Sequence, residues 1–257
     1  MAGVKQARDG TVGILTLSEP ETLNAMTPDL LGALAAAVGE MTRDEGIRAL
    51  VLTGEGRGFC SGQNLKAFGA LGDDLAAGVM RYYWPAFKAL RECRVPVVVA
   101  VNGVAAGGGF SLAMAGDIIV AARSANFIQV FSRIGLVPDL GSTWLLPRLI
   151  GRQRALELML LNEPLSAERA HDLGLVRQVV DDAHLMEEAL QLARRLAAGP
   201  TRALVATRTL LEESEHASYH AQFRREIEVQ AEIRKSSDAI EGRKAFVEKR
   251  KAQFTGR

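Results

Sequence analysis

Three consecutive glycines, Gly107, Gly108 and Gly109, stand between an apolar, β-branched run and a short apolar segment, Phe110 to Ala115, that reads as a helix. No side chain there would keep a ligand from the backbone. A helix that starts at such a point leaves its first N–H groups unpaired and turns its positive dipole end toward whatever lies over the glycines. That arrangement suits an oxyanion. A glycine-rich turn kept for close packing would show the same three residues, so the glycines alone leave both readings open.

Other chemistries fit the sequence less well. The stretch from Gly54 to Leu65 follows an apolar run and is rich in glycine, but the dinucleotide-binding fingerprint needs a glycine where Phe59 stands. No glycine is followed by Lys and Ser or Thr at the spacing of a nucleotide-triphosphate loop. Ser61 lacks the nucleophile-elbow pattern. His171, His184, His216 and His220 lie in polar helical contexts and read as surface residues; His216 and His220 have the spacing of a zinc-protease pair, but Ala217 stands where that motif needs Glu. Cys60 and Cys93 are in no metal-ligand spacing, and no metal is expected.

The elements that must position the glycines are legible on either side. Pro96 to Val101 is the pattern of a strand covered on both faces, and Ile47 to Thr53 is another. Thr11 to Leu17 alternates enough to be a strand. Thr27-Pro28-Asp29 starts a helix, since Thr27 can cap and Pro28 suits the first helical position. Leu75 to Arg91 reads as one long helical segment whose Tyr82, Tyr83, Trp84 and Phe87 are chiefly core, with a pocket lining as the alternative. Ile118 to Ala122 is a short strand, and Val137 to Thr143 forms a turn into an apolar helix ending near Gly151. Helices are expected over 152–161, 166–173 and 183–198, with a short strand over 176–180. The sum is a layered α/β architecture with ligand contacts where loops leave the strands. From Thr201 onward come three amphipathic helices with little core of their own, and a subunit contact is one way to bury their apolar stripes.

Composition narrows the partners. With 31 basic and 30 acidic residues in 257, the net charge is +1, which gives no footprint for nucleic acid or an anionic membrane surface. Two cysteines fit a reducing compartment, and MAGVKQARDG has no apolar run of signal-peptide length. No window approaches the roughly 18 apolar residues of a membrane span, and Thr255-Gly256-Arg257 matches no peroxisomal address, so a cytoplasmic protein is expected.

Four stretches, GRGFCSGQNL at 56–65, VNGVAAGGGFSLAMAGD at 101–117, GLVPDLGSTWLLPRLIG at 135–151 and AFVEKRKAQFTG at 245–256, resemble the crotonase, or enoyl-CoA hydratase/isomerase, superfamily. They occur in its order and spacing over nearly the whole chain. ANFIQVFSRIGLVPDLGSTWLLPR and the ending QFTGR are most similar to its ring-1,2-epoxyphenylacetyl-CoA isomerase branch in phenylacetate degradation. The resemblance implies an α/β fold, a spiral of repeated ββα units. It divides the chain into a core over 1–199 with an acyl-CoA site and a helical oligomerisation region over 200–257. It further implies an acyl-CoA substrate, with coenzyme A as part of the substrate and no separate cofactor, and a homotrimer or dimer of trimers.

Carried over by motif position, the backbone N–H groups of Gln63 and Gly108 would hold the thioester oxygen as it becomes an enolate. Ser61, Gln63 and Leu65 would surround the adenine, and Lys249 would lie near a bound CoA once the C-terminal helices pack against a neighbouring chain. Asn64 stands where the family usually has aspartate, and Glu19-Pro20-Glu21-Thr22 replaces a basic residue common after the first strand. The two glutamates by which the family's hydratases activate water are replaced by Ser111 and Phe131. Asp139 is the one carboxylate at a family catalytic position; in isomerases it would shuttle a proton and in a related dehalogenase it attacks as a nucleophile. It would also suit the cap of the next helix. Ser111, Phe131 and Trp144 are expected to line the substrate pocket, with Phe131 and Trp144 beside Asp139 raising its pKa. The implied activity is isomerisation, on 1,2-epoxyphenylacetyl-CoA or an unsaturated acyl-CoA. Dehalogenase or thioesterase chemistry at Asp139, or a non-catalytic acyl-CoA-binding relative, are the alternatives.

Overall fold

The computed structural model describes residues 3–257. The chain opens with an antiparallel hairpin of β1 (Gly3–Asp9) and β2 (Val12–Ser18). The first of these strands was not expected, because four of its seven residues are exposed and it shows no apolar run. Helix α1 (Pro28–Arg43) begins where the Thr27 hydroxyl accepts from the Leu30 N–H at 3.1 Å, and it buries Leu30, Leu31, Leu34, Ala37 and Val38.

The chain then winds in a repeating way. Strand β3 (Ala49–Gly54) is followed by β4 (Gly58–Cys60) and the helices α2 (Leu75–Tyr82) and α3 (Trp84–Arg91). Strand β5 (Val97–Val101) is followed by β6 (Val104–Ala106) and α4 (Gly108–Ala113). Strand β7 (Ile118–Ala122) is followed by β8 (Asn126–Ile128), α5 (Ser142–Ile150) and α6 (Arg152–Leu161). In each turn the first strand joins one sheet and the second strand another. Short β9 (Leu165–Ser166), α7 (Ala167–Asp172), β10 (Gln178–Val180) and α8 (Leu185–Ala197) complete the core.

The larger sheet has the order β1-β2-β3-β5-β7-β10 and is parallel except at β1; the smaller has the order β4-β6-β8-β9, antiparallel only at β9. Every residue of β3 and β5 is buried, which is why both read as continuous apolar runs. The segment expected as one helix over 75–91 is two, broken at Tyr83. Pro85 has no N–H to continue the ladder of the first.

The last three helices are α9 (Thr201–Ser214), α10 (Tyr219–Ile233) and α11 (Ser237–Val247). Arg48, just before β3, donates to the Thr201 hydroxyl at 3.2 Å and the Phe254 carbonyl at 2.7 Å. Buried Asp238, in the first turn of α11, accepts from the N–H groups of Thr255 at 2.6 Å and Gly256 at 2.8 Å. These bonds fasten the helical tail to the N-terminal end of β3. Tyr219, Phe223 and Ile227 on α10, and Ile240, Phe246 and Val247 on α11, remain exposed. Among the described residues no helix is long and apolar enough to cross a membrane.

Candidate active site

Two loops leave the small sheet side by side. After β4 the chain turns through Gly62 at φ +90°, where a Cβ would stand 2.6 Å from the Ala106 carbonyl oxygen and 3.4 Å from the Gly108 nitrogen. Only glycine fits that approach. Met26 then pairs with this loop: its N–H donates to the Gly62 carbonyl at 2.7 Å and its carbonyl accepts from Asn64 N–H at 3.0 Å. Gln63, between them, has its own N–H turned away from Met26, and that N–H has no hydrogen-bond partner among the described residues.

The second loop follows β6. Gly107, at φ +53°, donates to Ile128 O at 2.8 Å and accepts from the N–H groups of Phe110 and Ser111. Gly108 is the first residue of α4, and its N–H is likewise unpaired. A Cβ on Gly108 would meet Met26 Cε at 2.2 Å and Leu140 Cδ1 at 2.9 Å, while one on Gly109 would meet the Cys60 carbonyl oxygen at 2.0 Å. The triple glycine therefore does both things its sequence allowed: Gly109 permits close packing, and Gly108 leaves a free donor. Two unpaired N–H groups on adjacent backbones form the kind of pocket in which developing negative charge on an oxygen is held.

Asp139 comes to this place on the loop before α5. Its carbonyl accepts from the Ser111 hydroxyl at 3.1 Å and from Ser142 N–H at 3.0 Å, and the next residue, Leu140, packs against Gly108. The cap of α5 is Gly141, without a side-chain bond, so Asp139 is not a cap. The residue is exposed, yet surrounding protein strips enough water from the carboxyl to push its pKa up to about 6, from an ordinary 3.8. Ser111 is fully buried beside it. The buried Phe131 ring stands 3.7 Å from where a Gly107 Cβ would be, so it also lies at the loop.

The structure brings Gln63, Gly108, Ser111, Phe131 and Asp139 together; it does not bring Trp144 to them. Ser142 points inward, where Gln129 donates to its hydroxyl at 2.8 Å, and two residues on a helix is more than half a turn. The Trp144 ring accordingly faces the other way, with Arg148 stacked at 4.2 Å and His216 at 6.3 Å. It lines a cavity of about 700 Å³ with Met114, Asp117, Arg208 and Leu211. That cavity lies at the far end of α4 from Gly108, and two of its arginines are paired: Arg208 with Asp117 and Arg148 with Glu215, each at 3.0 Å. The Trp144 ring thus packs on Arg148 and His216 and not beside the Asp139 carboxyl as expected.

On the proposed adenine side, the Ser61 hydroxyl donates to Thr22 O at 2.8 Å, and Leu65 is exposed. The Asn64 side chain accepts from Lys66 N–H at 3.1 Å, a capping role that aspartate fills equally well. Lys249 is exposed beyond α11, in the tail that docks at the N-terminal end of β3. Six residues of strand, about 20 Å, separate that end from the loops of the site. Two residues that carry no signal of a site in the sequence, Met26 and Leu140, close on Gly108 from two sides.

A sequence model of the enoyl-CoA hydratase/isomerase family matches residues 7–257. The chain belongs to that family. It is similar to the 1,2-epoxyphenylacetyl-CoA isomerase of Escherichia coli (strain K12), at 46% identity over 95% of this chain and 94% of that one. It is also similar to a probable enoyl-CoA hydratase of Rhodobacter capsulatus, at 42% identity over 96% and 95%. The crystal structure of an enoyl-CoA hydratase from Polaromonas sp. JS666 superposes with a TM-score of 0.91, at 36% identity over 98% of this chain and 99% of that one. The winding of paired strands and helices described above is the crotonase fold, whose members are CoA-thioester-binding enzymes.

Proposed function

We propose that this enzyme is an acyl-CoA isomerase that works through a thioester enolate. The observation that carries the reading is the inventory of carboxylates at the paired N–H groups: Asp139 is there, and the positions from which hydratases activate water hold Ser111 and Phe131. A hydroxyl already bonded to a carbonyl and an apolar ring cannot orient and deprotonate water. Likeness to the E. coli isomerase supports 1,2-epoxyphenylacetyl-CoA as substrate, with an unsaturated acyl-CoA as the other class.

In this reading the thioester oxygen sits between the N–H groups of Gln63 and Gly108. Asp139 takes the acidic proton next to the thioester, and the electron pair moves onto the oxygen, where the two donors hold it. The protonated Asp139 then returns the proton at another carbon of the conjugated system, and the carbonyl re-forms. A carboxyl with pKa about 6 serves both halves of this cycle near neutral pH, being basic enough to accept and acidic enough to release. CoA lies toward Ser61 and Leu65, with Lys249 supplied by a neighbouring chain of a trimer or dimer of trimers in the cytoplasm.

Solvent deuterium exchange at the carbon next to the thioester, followed by NMR or mass spectrometry, tests the proposal. Wild type should exchange and Asp139→Asn should not, while both bind acyl-CoA. Exchange that survives in the Asn variant would assign the base elsewhere.

A further inference from the structure

Tyr83 is 1% exposed, at the break between α2 and α3, and its hydroxyl lies under the loop that carries Gln63. The hydroxyl donates to the Met26 carbonyl at 3.4 Å. That carbonyl already accepts from Asn64 N–H, in the pairing that turns the Gln63 N–H outward. The Gln63 side-chain amide turns back to the Asn64 carbonyl at 3.5 Å, and the Asp139 charge is close enough to act on the phenol. Met26 completes the circuit, since its Sδ–Cε end packs against Gly108.

We propose that the Tyr83 hydroxyl is a positioning residue for the oxyanion hole, fixing through the Met26 carbonyl the backbone that aims the Gln63 N–H at the thioester oxygen. The inference rests on the enolate reading above and names a further residue that serves it. Burial, together with the negative field of Asp139, pushes the phenol pKa up to about 12, so the hydroxyl keeps its proton at any working pH and remains a donor. Its bond to Met26 is long, so its worth is directional. It is one of two donors on a carbonyl whose rotation would carry the Gln63 N–H with it, and a small misplacement of such a donor is costly to the rate.

Tyr83→Phe keeps the ring and removes the hydroxyl alone. With a full-length variant and phenylacetyl-CoA as probe, the saturating rate of α-carbon deuterium exchange should fall roughly 10- to 100-fold. The half-saturating concentration should stay within about twofold, and the acid limb set by Asp139 should not move. In unliganded protein, amide hydrogen exchange at Met26 and Asn64 should quicken while the buried strands keep their protection. An unchanged exchange rate, a loss confined to half-saturation, or a displaced acid limb would each overturn the proposal. If wild type catalyses no α-exchange, the enolate reading fails, and the amide measurement decides Tyr83 alone: quickening confined to the Met26–Asn64 pairing upholds its role, and unaltered protection refutes it.

Discussion

At the scale of single residues, Asp139 carries a cost that its neighbours do not relieve. Its native pKa of about 6 lies above the ordinary 3.8, so the folded state favours the neutral carboxyl. The sign of the linkage follows: the contribution to stability is most favourable below pH 4, and is lost as pH rises through about 6. Asp139→Asn should therefore melt at a higher temperature than wild type at pH 8. Because solvent still reaches the residue, the gain should be modest, about 1 kcal/mol. The two melting curves should converge near pH 4, and a gap that does not depend on pH would mean the carboxyl is not desolvated. In the proposed mechanism catalysis runs the other way, since only the ionised form can accept a proton: exchange should fall about tenfold per unit below pH 6.

The glycines separate two residue-scale effects. Gly108→Ala retains the N–H and meets the flexible ends of Met26 and Leu140, so the protein should fold, with a loss of about 1–3 kcal/mol and a lowered rate. Gly109→Ala drives a methyl into the Cys60 carbonyl, which cannot swing aside. Its yield of folded protein should be far lower, and soluble, stable Gly109→Ala beside an unfolded Gly108→Ala would reverse the assignment of packing and donor roles.

Among the elements, the C-terminal end of the tail is gathered at Asp238. Asp238 receives two backbone N–H groups and the Thr255 hydroxyl inside the protein, so Asp238→Ala should cost about 2–3 kcal/mol. Hydrogen exchange should quicken in α11 and over 253–257, with β3 and β5 still protected; equal loosening everywhere would show that the tail is no separate unit. Elements were also where the sequence was most readable and where it misled. The Thr27 cap, the fully buried β5 and the helix over 152–161 carry strong local signals, and each forms where expected. The small sheet was invisible because strands of two or three residues are too short to display an alternation. The break at Tyr83 was hidden by apolar spacing that runs on through both helices. Trp144 was misplaced because its motif gives its position along the chain but not its angle around α5. Gln63, Gly108 and Asp139 came from the resemblance; spacing alone had reached only as far as the glycines.

For the whole molecule, the exposed apolar side chains of α10 and α11 set the expectation. A second and third copy would cover them, and sedimentation should show trimers or hexamers at micromolar concentration; a stable folded monomer would contradict this. Hydration of crotonyl-CoA should stay near the uncatalysed rate, and Ser111→Glu alone should not restore it. Turnover of roughly 1–1,000 per second in the unaltered enzyme would instead make it a hydratase.

The winding of the chain also has a history in time. Each turn lays one strand against the turn before it, β5 on β3 and β7 on β5, and so does the small sheet, β6 on β4 and β8 on β6. A coil of this kind can close in the order in which a ribosome releases it. Gln63 meets Gly108 when the second turn docks, whereas Asp139 arrives only with the third. In such an order, and with the roles proposed above, the nascent chain would own a place for the negative charge before the base that creates it.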